Sequence, residues 1–367
     1  MHRKSPPTRT HSVATSDGHH VLHVAEYGTG NKTPVVYLHG GPGGGIPPDV
    51  PRLFDPEVFH VIVFDQRGCG RSTCADRLRA NTTDRLIDDI ETVRLHIGVE
   101  QWAVVGSSYG ALLTALYVAR CATHVSWAVV HGAFLGTRAE VTWLYSSDGA
   151  ARFYPHQWDE FFSATRGVGD APDTASAPAG DQAATALVAR IYRALTADDV
   201  SRMQPPPTDQ GLPAAAVAAA SALTRWEDEM ETLSPMPATH GSAELLAGAQ
   251  IAAHYFYHGC HLATAGERHD SVPALIAYKP DGILDELRDA AEMLGRVPCA
   301  IVHGRHDVVC PPRAAHQLHA VWPRSTLRIV EGGAHALFEK PMRAAAQAAF
   351  AEFTAATGGS SSKRQRV

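Results

Sequence analysis

Over roughly its first 130 residues the chain alternates short apolar runs with helix-periodic stretches, and that rhythm restricts the fold more than any other feature. HHVLHVAEYG (19–28) alternates as a half-exposed strand does, while TPVVYLHG and FHVIVFDQRG are compact apolar runs closed by glycine, the pattern of buried strands. TTDRLIDDIETVRLHIG then places Leu86, Ile90, Val93 and Ile97 at helical spacing, with Thr83 as the expected N-cap. WAVVGSS, GALLTALYVARC and VSWAVVHGAF continue as strand, helix and strand. Strand alternating with helix predicts an α/β fold: a mostly parallel central sheet, right-handed crossovers, and helices on its flanks.

The rhythm stops between Thr137 and Gly295. This stretch is first aromatic-rich and then Ala/Pro-rich (GDAPDTASAPAGDQAATA, MQPPPTDQGLPAAAVAAAS), with helical periodicity and no convincing buried strand. It reads as a mostly helical insertion with mobile connecting loops. Sheet-like sequence resumes at VPCAIVHG and STLRIVEGG, before a closing Ala-rich helix, PMRAAAQAAFAEFTAA. The expected division is a core of residues 1–136 and 296–357, a helical cap of 137–295 inserted after the sixth core strand, and a disordered polar tail, 358–367.

A chain of 367 residues that is 45% hydrophobic can bury one large core and a subsidiary layer. Its formal net charge of -6 gives no electrostatic reason to expect nucleic acid or an anionic membrane as partner, so a small molecule or short peptide fits better. The six cysteines form no CxxC pair and show no zinc-ligand spacing; they read as mostly buried free thiols of a reducing compartment, and no metal or cofactor is expected. The basic opening MHRKSPPTRT lacks an apolar core, and no stretch approaches the ~18 apolar residues of a membrane span. The expected location is cytoplasmic.

Gly106-Ser107-Ser108-Tyr109-Gly110 matches G-x-S-x-G between a strand and a helix. Small flanking residues let the chain turn sharply enough to lift a serine hydroxyl out at the strand end, and the helix N-terminus beneath favours developing negative charge. In YLHGGPGGG, a run of small residues after a strand packs little but leaves backbone N–H groups close to a substrate. The N–H of Gly41, with that of Tyr109, is the candidate oxyanion hole. No Gly-Lys-Ser/Thr follows, which argues against a phosphate cradle. An acid and a base are then needed downstream: GRHDVVCPP offers Asp307 and GGAHALFE offers His335, each after a predicted strand, where an open α/β sheet gathers its site. In DQRGCGRS, Asp65, Arg67 and Arg71 are expected to fix a loop through ion pairs, and Cys69 lacks a motif-placed partner that would make it a nucleophile.

Taken together these motifs resemble the prolyl aminopeptidase (proline iminopeptidase) branch of the α/β-hydrolases, and they occur in that family's order. The likeness extends into the insertion at FLGTRAEVTWLYSSDGAARFYPHQWDEF, RWEDEM and AQIAAHYF. It implies a metal-independent serine peptidase that removes an N-terminal proline beneath a helical cap, with Ser108, Asp307 and His335 as triad. The elbow departs from the family's Gly-Gly-Ser-Trp-Gly at Ser107 and Tyr109, and Ala334 stands where the family has glycine. A larger departure is Ala252, at the position of a family glutamate that holds the substrate's amino group; Glu227 or Glu244 is the alternative carboxylate. Phe134, Trp143, Tyr145, Tyr255 and Phe256 are candidate pocket residues, or packing residues of the cap. Three functions stay open: an aminopeptidase, an esterase or amidase acting on a metabolite without a free amine, and a hydrolase-fold protein that binds a small ligand without turnover.

Overall fold

The structure, a computed structural model, describes residues 1–165, 180–196, 214–233, 242–262 and 279–361. Its frame is one sheet made of β1 (Arg9–Ala14), β2 (His20–Tyr27), β3 (Thr33–Leu38), β4 (Phe59–Phe64), the two-residue β5 (Thr73–Cys74), β6 (Trp102–Ser107), β7 (Val125–His131), β8 (Cys299–Gly304) and β9 (Ser325–Val330). Their spatial order is β1-β2-β4-β3-β6-β7-β8-β9, with β5 beside β2. The β1–β2, β2–β4 and β2–β5 pairs are antiparallel; every other pair is parallel. The sheet is therefore mostly parallel, as the alternation predicts. β1 is the strand the sequence does not announce, because RTHSVA has little apolar content; it pairs with β2, which is more buried than a half-exposed strand would be.

Helices cover both faces, so the central strands are buried on both sides; all six residues of β4 and of β8 are buried. On one face lie α1 (Thr83–Ile97) and α2 (Tyr109–Cys121), with Ile90, Val93, Leu112 and Leu116 packed in the larger core. On the other, the closing helix sets Phe350 against Phe54, Phe59 and Trp127. Truncating such a buried phenylalanine to alanine costs about 3–5 kcal/mol. The α1 N-cap is Thr82, not Thr83: the Thr82 hydroxyl accepts from the Arg85 N–H at 3.4 Å. Thr83 is instead turned inward, where its hydroxyl bonds Tyr109 Oη (2.7 Å) and the Cys260 carbonyl. Two adjacent threonines offer the same chemistry to a cap, and only packing tells them apart.

Between β7 and β8 no strand occurs among the described residues, and six strands of the main ladder plus β5 precede this segment. It holds α3 (Arg138–Tyr145), α4 (Pro155–Ala164), α5 (Gly180–Thr196), α6 (Ala214–Glu231) and α7 (Ser242–Tyr257), then α8 (Leu284–Asp289) and α9 (Ala291–Leu294). α6 buries Ala216, Ala219, Ala220, Leu223, Trp226 and Met230, the three-and-four spacing of one helical face. The helical layer sits on the loops that follow the parallel strands. Tyr255 Oη donates to Asn81 Oδ1 (2.7 Å), Trp143 Nε1 to the Val308 carbonyl (2.7 Å), and the Ala336 N–H to the Glu231 carbonyl (2.8 Å). Most of the two Ala/Pro-rich stretches expected to be loops lies outside the described residues. After β8 come α10 (Arg313–Val321) and, after β9, α11 (Lys340–Ser361), so positions 358–361 of the expected tail continue a helix and 362–367 lie outside the described residues.

Candidate active site

Strand register assembles the site. Leu38 pairs with Gly106, Ser107 with His131, His131 with Val302, and Gly304 with Val330. The C-terminal ends of β3, β6, β7, β8 and β9 thus lie in a row, and each candidate residue sits just beyond one of them. Ser108 occupies φ 57°, ψ -119°, a conformation that a non-glycine residue holds only under constraint from its surroundings. The constraint is close approach: a Cβ at Gly106 would lie 2.0 Å from the Gly110 carbonyl oxygen, and one at Gly110 would lie 2.0 Å from that of Leu38. Both flanking glycines are therefore required, and the serine between them is thrust out at the start of α2.

The glycine-rich loop after β3 lies against this turn, since a Cβ on Gly40 would come within 2.8 Å of Ser108 Cβ. His39 pins the loop. Its Nε2 accepts the Gln66 N–H (3.0 Å), which leaves Nδ1 to donate to the Gly40 carbonyl (2.9 Å), and the Gln66 amide donates to the His39 carbonyl (2.8 Å). The Gly41 N–H makes no hydrogen bond among the described residues.

On the other side, His335 Nδ1 and Asp307 Oδ2 are 2.8 Å apart, both nearly fully buried, with Gly132 packed against the pair. Burial by itself would raise the Asp307 carboxyl; His335, His303 and the Cys310 N–H (2.8 Å to Oδ1) outweigh it and hold the group below its ordinary value. Burial likewise lowers His335, but Asp307, with the charges of Glu231 and Glu227, reverses this and raises it. Ser108 Oγ and His335 Nε2 are not hydrogen-bonded here; such contacts are commonly long before substrate binds.

Several residues at the site carry no sequence signal of their own. His131, at the end of β7, bonds Ser107 Oγ through Nδ1 (2.8 Å), and burial followed by the nearby His335 charge pushes it down to about 3. His303 Nδ1 accepts the Ala133 N–H (3.1 Å), so its Nε2 carries the proton that is donated to the Cys310 carbonyl (2.7 Å), beside Asp307. In a chain with 21 histidines, only the register identifies these two.

Of the pocket candidates, Phe134, Tyr145, Tyr255 and Phe256 join Tyr109 in one continuous aromatic cluster, with ring centroids 5.2 to 6.3 Å apart. Trp143 lies apart from it, 6.1 Å from Phe153. Tyr145 Oη donates to Glu227 Oε1 (2.7 Å), and burial pushes the Glu227 carboxyl up to about 7, partly offset by that hydrogen bond. Ala252 is buried within α7, and Glu244 is exposed near the start of the same helix. Cys69 is buried, donates to the Arg67 carbonyl (3.3 Å), and has its thiol pushed far up by burial, the opposite of an activated nucleophile.

The alpha/beta hydrolase fold family matches residues 33–341, and the chain belongs to that family. The proline iminopeptidase of Xanthomonas citri is 34% identical over 327 residues, spanning 88% of this chain and 90% of its own. That of Xylella fastidiosa is 33% identical over 333 residues, 90% of this chain and 91% of its own. Within the α/β-hydrolases, then, the chain belongs with the proline iminopeptidases. The crystal structure of the Mycobacterium smegmatis proline iminopeptidase aligns over 95% of this chain with a TM-score of 0.55 at 19% identity, a likeness of fold.

Proposed function

We propose that the protein is a serine hydrolase that releases an N-terminal proline from a peptide or amide. Ser108 Oγ attacks the carbonyl carbon and its proton passes to His335 Nε2, while Asp307 holds the imidazole by Nδ1 and stabilises its charged form. The N–H groups of Gly41 and Tyr109 receive the oxyanion. His335 then protonates the leaving amine, and water takes the same route to free the acyl-enzyme. The helices between β7 and β8 act as a cap that closes an apolar pocket, with Phe134 and Phe256 beside Tyr109.

The observation that carries this reading is the buried His335–Asp307 pair aligned with a strained Ser108 by strand register. The substrate assignment rests on Glu227. Its carboxyl accepts from Tyr145 of the aromatic cluster and adds to the negative potential at His335, which suits pairing with a free imino group at the reacting end. Ala252 favours a second reading, an ester or amide substrate without an amine, because a methyl repays none of an amine's desolvation. Hydrolysis of a proline anilide and of its N-acetyl form decides between them. We expect the free amine to be strongly preferred, and Glu227→Gln to weaken that substrate by about 10- to 100-fold in kcat/KM, the worth of a charge-assisted contact, while sparing the acetylated one. Equal rates on both substrates, unaffected by Glu227→Gln, establish the second reading.

A further inference from the structure

The far end of α2 carries a cluster that the reaction does not use. Glu91 of α1, Cys121 as the last residue of α2, and His124 just beyond it bring a carboxylate oxygen, a thiol sulfur and an imidazole nitrogen all within 4.8 Å of one another. α2 has 13 residues, so at 1.5 Å per residue this cluster lies on the order of 18 Å along the helix from Ser108. All three side chains are half-buried, open enough for an ion to enter.

We propose that Glu91, Cys121 and His124 form a binding site for a zinc-type divalent cation. One thiolate, one imidazole and one carboxylate make a mixed donor set of borderline softness, which suits zinc rather than calcium or magnesium; water supplies the fourth position. Tetrahedral zinc bonds set such atoms about 3.4–3.6 Å apart, so the side chains need small rotations to close on the ion.

The carboxylate is already oriented from behind. Tyr117 Oη donates to Glu91 Oε1, and the Arg94 guanidinium bonds both oxygens, at 2.9 and 2.8 Å. Arg94 is itself held by the carbonyls of Val99 (2.7 Å) and Glu100 (3.2 Å), so it stays as an orienting group. A carboxylate, a thiolate and one guanidinium leave a net negative charge for the dication, and the C-terminal end of α2 adds the negative pole of a helix dipole. Without the ion, His124 Nδ1 lies 3.0 Å from Glu91 Oε2, bridged by a proton. On binding, neutral His124 moves that proton to Nε2 and ligates through Nδ1, while Cys121 releases its thiol proton to solvent; one proton leaves per ion bound.

Co²⁺ titration of the full chain, stripped of metal beforehand, tests this by near-ultraviolet absorption, because a thiolate–cobalt bond gives a charge-transfer band that histidine clusters and carboxylates do not. We expect the band to saturate at one equivalent, to vanish in Cys121→Ser, and to require at least tenfold more Co²⁺ in His124→Ala; Zn²⁺ should bleach it and raise the Tm of the unaltered protein. Absence of the band, or its survival in a folded Cys121→Ser variant, overturns the proposal. Should Cys121→Ser not fold, an unchanged Co²⁺ affinity in His124→Ala overturns it equally.

Discussion

Two buried carboxylates in this molecule do opposite work. Asp89 on α1 forms a two-point ion pair with Arg67, at 2.6 and 2.8 Å, and Asp17 takes a further nitrogen of the same guanidinium at 2.6 Å. The Arg67 carbonyl accepts from Asn81, which also receives the Tyr255 hydroxyl, so the cluster joins the loop after β4 to α7. Asp307 is as deeply buried, but its partner His335 is an imidazole that can gain or lose its charge, and it keeps one ring nitrogen unbonded among the described residues. A permanently charged and saturated partner makes an anchor. A titratable partner with an uncommitted edge makes a site that can move a proton. Burial of charge alone distinguishes neither.

The sharpest break between the two regions is catalytic. Ser108→Ala should lower kcat on a proline anilide by roughly 10⁴-fold or more, and Asp307→Asn by a comparable factor, while urea unfolding of Ser108→Ala changes little. If Ser108→Ala keeps most of its activity, the row of residues at the strand ends is not the reaction centre.

The next effect lies in the anchor. Asp89→Asn leaves the buried Arg67 short of its two-point partner and should cost about 3 kcal/mol of stability, read as a lower urea midpoint, with kcat nearly unchanged in the protein that remains folded. A variant of full stability and lost activity reverses the two assignments.

The smallest effect is a pH displacement. His335 must be neutral to act as a base, and its folded-state pKa is raised above the ordinary 6.5, so kcat/KM should fall on the acid side through an apparent value above 6.5. Stability runs the other way: the raised pKa contributes fully below 6.5 and its contribution is lost as pH rises through the folded value. Activity and the His335 share of stability should therefore change in opposite directions across that window. An acid limb well below 6.5 shows that Asp307 does not govern His335.

Much of the frame is legible because parallel strands buried on both faces are written as continuous apolar runs, as in FHVIVF, and because Gly106 and Gly110 stand where no Cβ fits. β1 escapes because an edge strand held by backbone pairing needs few apolar residues. The start of α3 also carries a local signal: Thr137 and Glu140 form a reciprocal capping box, with the Glu140 N–H donating to Thr137 Oγ1 at 3.2 Å and the Thr137 N–H to Glu140 Oε2 at 2.9 Å. The expectation of Thr83 as the α1 cap fails because Thr82 offers the same chemistry and only Thr83 faces Tyr109.

By itself the sequence determined the α/β class, the sharp turn at Ser108, the glycine-rich loop and the strands after which Asp307 and His335 stand, because each depends on local backbone demands that leave a mark in residue type. Tertiary structure alone decided that Glu231 and Glu227 act electrostatically on His335, that His303 lies beside Asp307 while His131 bonds Ser107, and that Glu91 meets Cys121 and His124. Those relations join side chains from elements far apart in sequence, through strand register and helix rotation, and no single segment records either one.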